Sequence, residues 1–435
     1  MPRRPAPSPS PEPGDERASS HRPSRRSPSG ADLIARCTLL GGEIGPALQA
    51  IVAALPADRR GTVGLARHLA IDKVLSSRVL KALRSTDPIA VIHHLPGPEP
   101  LRRFTRAARA LGLSTATIDA ADRAIDRFET LIRDETGDRG TLDAILSDRV
   151  PEARAAFALR RKQAAYRAMS ELKGLAARQH LAAVLLYPGS DPLRIDVVWI
   201  FGTLGLQRLR DGVPVKFASR RIGPESTPRS PATLRGEAVD AATGLAQLRL
   251  DAHCSRPAPE LVVQRAGDVI HYTLADSGFG PHSAVDLVFA EVNRNEIDRY
   301  ASPAAVTGRA KQTYFFAEVP IPSEHLLFDV FAHEDVFPGR EPTLNVYDTA
   351  LEGIASPNDP GRDIDRLDTA EAVVPLGRGL AAAATRLVPF HASLLAETFD
   401  ALRWNPDRMR GWRTAIDYPV YGSQVTLAFE PPTRP

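Results

Sequence analysis

Cysteine is nearly absent: Cys37 and Cys254 are the only two in 435 residues, and they lie far apart in the chain. Neither a disulfide framework nor a zinc module with closely spaced thiolates fits that usage, and a reducing cytoplasm is the simplest setting. Long apolar runs are missing as well. The best candidates, Leu181–Tyr187 and Leu380–Leu395, are short or broken by Arg386 and Pro389, whereas a membrane-crossing helix takes roughly 20 apolar residues. The opening MPRRPAPSPS has no apolar stretch of the kind a secretory signal carries. A membrane is therefore not an expected partner.

A strong excess of one charge is also lacking. Lys+Arg 55 against Asp+Glu 52 leaves +3, too little to coat nucleic acid along the whole chain, so any anion binding must come from a local cluster. Nearly all the cations are Arg, with lysine at positions such as Lys73, Lys81, Lys162 and Lys311. Together with abundant Ala, this points to a GC-rich bacterial genome. Hydrophobic residues at 43% and charged residues at 25% exclude a wholly disordered or fibrous chain, and the length implies more than one domain.

The fold class expected is α+β: an N-terminal all-α helix-turn-helix domain, a long connecting helix, and a C-terminal strand-rich mixed α+β domain. Residues 1–30 are Pro, Ser and Arg with almost nothing to bury, and read as a disordered basic tail bearing Arg3, Arg4, Arg22, Arg25 and Arg26. Residues 31–150 carry helical periodicity broken at Pro56-Ala57-Asp58, Asp87-Pro88 and Pro96-Gly97-Pro98, with Ile89–His94 as a candidate wing strand. Residues 151–180 read as one connecting helix, Glu152 to Gln179, basic through Arg154, Arg160, Arg161, Lys162, Arg167, Lys173 and Arg178, and a candidate dimer seam. Residues 181–430 switch to short branched and aromatic runs such as LAAVLLYPG and LRIDVVWIFG, a strand-rich sensor or interaction domain with a late helix at Ala392–Leu402.

The stretch with a mechanism is GTVGLARHLAIDKVLSSRVLKALR, Gly61 to Arg84. Leu65, Ala66 and Leu69 share one face of a short helix, and Ile71 packs in the turn. Asp72 is placed to cap a second helix from Lys73 to about Leu83. On that helix Leu75, Val79 and Leu83 form the buried stripe, leaving Lys73, Val74, Ser77, Arg78 and Lys81 outside. From Asp58 to Arg84 seven cations face only two acids. An α-helix fits the major groove of B-DNA. Lys73, Val74, Ser77 and Arg78 are thus placed for base edges, with Arg67, Lys81 and Arg84 for phosphates.

The segment LARHLAI followed by DKVLSSRVLKAL resembles the DNA-binding region of winged helix-turn-helix bacterial transcription regulators of the IclR and MarR types. The likeness covers about 25 residues, and about 60 if Gly45–Leu55 and Ile89–His94 are included as scaffold helix and wing. Ala70 stands where glycine is usual and Ser76 where a branched aliphatic is usual. The resemblance implies double-stranded DNA as the partner and, because one helix reads few base pairs, a homodimer on two half-sites.

Other constellations are weaker. His325, Asp329 and His333-Glu334-Asp335 cluster along one strand candidate, but match no established metal spacing. Asn358–Asp365 is acidic yet lacks the glycine and terminal glutamate of a calcium loop, and reads as a solvated loop. Trp404, Trp412, Tyr418 and Tyr421 read as cement between the last helix and the sheet. His391, His271 and His282 look isolated, and the pair His93-His94, beside the Pro96-Gly97-Pro98 turn, reads as surface. No phosphate loop, dinucleotide fingerprint or nucleophile elbow occurs, and Ser277 in DSGFG is out of frame.

The expected function is a sequence-specific DNA-binding transcription regulator in the cytoplasm, with a C-terminal unit that senses a small-molecule effector or a partner. No catalysis, cofactor or metal is expected. The alternative is an enzyme, such as a hydrolase, with its site around His325 and His333–Asp335 and a helical interaction module in front.

Overall fold

A computed structural model of the chain describes residues 30–147, 149–221, 231–240, 244–275, 278–301 and 311–434. The tail arginines Arg3, Arg4, Arg22, Arg25 and Arg26, and Ser277, lie outside the described residues. The protein is α+β, helical first and strand-rich after, in two compact units, Met1–Ala153 and Arg154–Pro435.

The N-terminal unit is built from α1 (Gly30–Ala53), α2 (Thr62–His68), α3 (Lys73–Leu83), α4 (Pro88–His94), α5 (Pro98–Ala110), α6 (Thr115–Leu131) and α7 (Arg139–Ser147). Leu33, Cys37, Leu40, Ile44, Leu48 and Ile51 recur every three or four residues along α1 and are all buried, the stripe a helix needs to pack on its neighbours. Ile118, Ala121, Ile125 and Phe128 do the same on α6. Where α1 meets α4 the crossing is so close that a Cβ on Gly41 would fall 2.1 Å from the Pro88 carbonyl oxygen. Only glycine fits there.

Two expectations are corrected. Ile89–His94 is not a wing strand but most of α4, because Asp87 accepts from the Ile89 and Ala90 N–H groups and Pro88 follows at the first helical position. That pair starts a helix. No strand occurs among the described residues of this unit, so the helix-turn-helix has no wing there.

The connecting helix also ends earlier than its composition suggests. It is α8 (Pro151–Lys173), stopped at Gly174 in a left-handed conformation (φ 67°), after which Leu175–Gln179 already belong to a strand. Arg178 is therefore a strand residue.

In the C-terminal unit the strands are β1 (Leu175–Pro188), β2 (Arg194–Arg208), β3 (Val215–Arg221), β4 (Leu261–Ala266), β5 (Val269–Leu274) and β6 (Val285–Asp298). They are followed by β7 (Thr313–Glu318), β8 (Ser323–His333), β9 (Thr343–Asp348), β10 (Val374–Arg378), helix α9 (His391–Leu402), β11 (Met409–Asp417) and β12 (Ser423–Phe429). The central sheet has the order β10-β11-β8-β1-β2-β6, with β1 and β8 parallel and the other neighbours antiparallel. Leu181, Ala183 and Leu185 of β1 face α9 through Leu394, Leu395 and Phe399. Ala182, Val184 and Leu186 face the opposite way, onto Phe315, Val425, Leu427 and Phe429 of the sheet β7-β12-β9. Covered on both sides, β1 carries a continuous apolar run rather than an alternating one. A third sheet, β3-β5-β4, packs through Ile270, Tyr272 and Leu274 against Leu287 and Phe289 of β6.

Candidate nucleic-acid interface

Helices α2 and α3 form the expected pair. Leu65 and Leu69 are buried, and α2 closes through the Ile71 N–H, which donates to the Ala66 carbonyl at 3.0 Å around Ala70 at φ 51°. This is a left-handed helix stop of the kind usually given to glycine, and an alanine there costs roughly 1–2 kcal/mol. Asp72 then caps α3, its Oδ1 accepting from the Leu75 N–H at 2.7 Å. Ser76 is fully buried and its Oγ donates to the Thr62 carbonyl at 2.8 Å. That bond accounts for a hydroxyl where an aliphatic is usual: it ties the first turn of α2 to α3.

Leu75 and Val79 are buried as expected, joined by Leu80 and Ala82, while Leu83 is half-buried. All seven candidate contact residues, Arg67, Lys73, Val74, Ser77, Arg78, Lys81 and Arg84, are exposed. Lys73, Ser77 and Lys81 follow one another at four-residue spacing, so they share one side of α3.

Charge pairing separates this surface from the rest of its unit. Arg102 meets Asp126 and Glu129, Arg106 meets Glu99, Arg109 meets Asp119 and Asp122, and Arg127 meets Glu43. Around the turn, Arg103 approaches Asp72 at 3.7 Å and Arg59 meets Asp58. No ion pair between described residues engages Arg67, Lys73, Arg78, Lys81 or Arg84. Arg78 has a single weak tether, Nη2 donating to the Leu95 carbonyl at 3.3 Å.

The histidines and acids of the rival site do not converge. His325 and His333 are eight residues apart on β8, which at about 3.3 Å per residue places them roughly 26 Å apart. His325 pairs with Asp417 at 2.8 Å. His333 accepts the Asp335 N–H on Nδ1 at 3.2 Å, and burial holds its pKa below the usual imidazole range. Glu334 is shared by Arg378 and Arg408, which hold its carboxyl below the usual range. No cluster of three or more His, Cys, Asp or Glu fit to hold a metal occurs among the described residues.

Asp329 belongs to a group the sequence reading missed. Its carboxylate is fully buried, receives both Nε and Nη2 of Arg413 at 2.8 and 2.7 Å, and receives His391 Nε2 at 2.8 Å. His391, expected to be isolated, is thus the pin that fixes the start of α9 to the sheet. The available signal was an aspartate inside the apolar strand LLFDVF, since a carboxylate buried there must find a cation.

Of the aromatic group, Trp404 lies near Phe399 of α9 and stacks on Tyr187 at 4.5 Å. Trp412 packs on Phe429 at the opposite face, so the group does not cement one interface. Tyr418 and Tyr421 instead receive Gln163 and Lys173 of α8. With Arg154–Asp368 and Lys162–Glu371, these contacts lay one face of α8 on its own C-terminal unit, leaving only the other face for a dimer seam.

No family model matches the chain, and no curated protein matches it. A solved protein of Parabacteroides distasonis, provisionally described as a protease, is 8% identical with a TM-score of 0.26 over 59% of this chain, which spans 40% of that protein. A likeness that low carries no argument about this chain. Among the described residues no helix is long and apolar enough to cross a membrane.

Proposed function

We propose that the chain is a sequence-specific DNA-binding transcription regulator of the bacterial cytoplasm that reads duplex DNA with α3. Its C-terminal unit then senses a small effector or a protein partner. The observation that carries this reading is the set of exposed cations without ion pairs, Arg67, Lys73, Arg78, Lys81 and Arg84, on a capped helix in a unit whose other arginines are largely neutralised. Cations kept free of carboxylates are available to phosphates. Val74, 69% exposed at the start of α3, suits a thymine methyl, and Arg78 suits a guanine edge.

With no wing strand among the described residues of the N-terminal unit, positioning falls to α2 and the ends of its neighbours, and useful specificity needs a homodimer on two half-sites about one helical turn apart. Fluorescence anisotropy of the full chain with duplex DNA at low and moderate salt tests the proposal. Binding that weakens steeply with salt is expected. Negligible or salt-insensitive binding overturns it.

A further inference from the structure

Among the described residues the two most exposed large aliphatic side chains, Leu351 and Ile364, stand on one short stretch of the C-terminal unit. Leu351 is 96% exposed, Ile364 88% and Ile354 52%. Water-facing leucine and isoleucine at that density mark an interaction surface more often than an accident of sequence.

The stretch is firmly held. The buried guanidinium of Arg362 donates to the carbonyls of Gly353 at 2.9 Å and Ile354 at 3.1 Å, and to the Asp365 carboxylate at 2.6 Å. Gln424 clamps Ala355 in both directions at 2.8 Å, and Asn358 does the same to Gln312. Arg362 ties Gly353–Ile354 to Asp365, and so holds the backbone next to Leu351 and Ile364 in one knob. A knob fixed in advance loses little entropy on docking.

Its surround is acidic. Between Asp348 and Arg366 five carboxylates accompany two cations: Arg362 pairs with Glu352 and Asp365, Arg366 pairs with Asp363, and Asp348 and Asp359 have no ion pair among the described residues. The complementary surface is an apolar spot rimmed by cations. This chain carries one: Val63, 51% exposed, and Val74 sit in the first turns of α2 and α3, which the Ser76–Thr62 bond brings together, beside Arg67, Lys73, Arg78 and Lys81.

We infer that the Asp348–Asp365 knob of one copy docks on the α2–α3 face of a second copy, aliphatics on Val63 and Val74, carboxylates against the cations. Reciprocal docking closes a two-fold dimer, and one-way docking gives a longer assembly. The contact stands on charge and exposed apolar surface and does not require the duplex reading. Where both hold, knob and duplex compete for α3, and the form associated through the knob is DNA-free and distinct from the homodimer that reads two half-sites.

Sedimentation velocity of the full chain without DNA, over a concentration series at low and high salt, tests it. The wild type should associate with rising concentration, less so at high salt. Leu351→Ser with Ile364→Ser, and separately Val63→Ser with Val74→Ser, should each require at least tenfold more protein for the same association. An equimolar mixture of the two variants should associate again, because one intact knob then meets one intact α2–α3 face. A wild type that stays monomeric, variants that associate as it does, or a mixture no better than its components overturns the inference. Should either double variant melt early, Glu352→Lys with Asp359→Lys replaces it, removing the charge match alone. Since no DNA is present, these outcomes are separate from success or failure of duplex binding.

Discussion

The guanidinium groups of Arg78 and Arg139 donate to the same acceptor, the carbonyl oxygen of Leu95, at 3.3 and 3.2 Å. Arg139 also reaches the carbonyls of Ile92 at 2.8 Å and His93 at 3.0 Å, so one cation satisfies the frayed end of α4. Burial holds its pKa below the usual guanidinium range, opposed by Asp143 at 2.9 Å. The two arginines divide the labour: Arg139 is structural, and Arg78 is tethered by one long bond whose release costs about 1 kcal/mol.

Arg139→Met should therefore destabilise the N-terminal unit by about 3–5 kcal/mol, since Asp143 and three carbonyls lose their cation. Arg78→Ala should shift stability by no more than about 1 kcal/mol while lowering discrimination at one base pair by about 1–3 kcal/mol. Urea unfolding and competition binding with single-base variants of the preferred duplex measure the two. An Arg78→Ala protein that unfolds as readily as Arg139→Met would refute the division.

Phosphate contacts leave a different signature from base contacts. If about six phosphates are engaged, log affinity should fall against log salt with a slope of about −5, each phosphate contributing roughly −0.9. Lys81→Ala should weaken all sequences alike and reduce the slope by about one unit. Anisotropy titrations at four or five salt concentrations read both quantities.

The turn between α2 and α3 offers a test in which one change stabilises and another destabilises. Ala70→Gly relieves a left-handed alanine and should stabilise by about 1 kcal/mol. Asp72→Ala removes the cap on Leu75 and should destabilise by a similar amount. Urea midpoints of the two single variants and their combination decide this, and an Ala70→Gly that destabilises would mean that Ala70 makes contacts worth more than its strain.

What could be read in advance followed from local rules. Asp72 as a cap, the outward set from Lys73 to Lys81 and the continuous apolar run of β1 depend on near neighbours in sequence, and each is where its pattern puts it. Ile89–His94 was misread because branched residues suit strands, whereas Asp87-Pro88 in front of them starts a helix. Arg362 looks like part of a solvated loop in the sequence because no local pattern says that acceptors from Asp348, Glu352, Gly353, Ile354 and Asp365 will surround its guanidinium. His391 and Asp329 are 62 residues apart, and no periodicity links residues at that distance.

That buried pair supports a sharp comparison. Asp329→Asn leaves Arg413 without its counter-charge at a buried site, and should cost about 3–5 kcal/mol. His391→Phe removes one hydrogen bond to the carboxylate while leaving the Arg413 pair in place, and should cost distinctly less. Chemical denaturation of the C-terminal transition measures both, and equal losses would show that the imidazole, not the guanidinium, balances the carboxylate.

His180 sets an acid limit on the same unit. Its Nδ1 is sealed from water without a partner although the residue as a whole is half-buried, and burial pushes its pKa down to about 4, against a smaller opposing effect from the Glu318 backbone. In the unfolded chain the imidazole titrates near 6.5. Between those values the unfolded state binds the extra proton, so stability falls as pH drops from about 6.5 to about 4, by up to roughly 3 kcal/mol, and changes no further below that. Burial raises the Glu318 carboxyl, which works in the opposite direction: protonating it in the fold adds stability as pH falls. His180→Leu removes the first effect and keeps the second. Urea midpoints measured from pH 7 to pH 4 should decline steeply for the wild type and flatten or rise for His180→Leu, and parallel curves would refute the assignment.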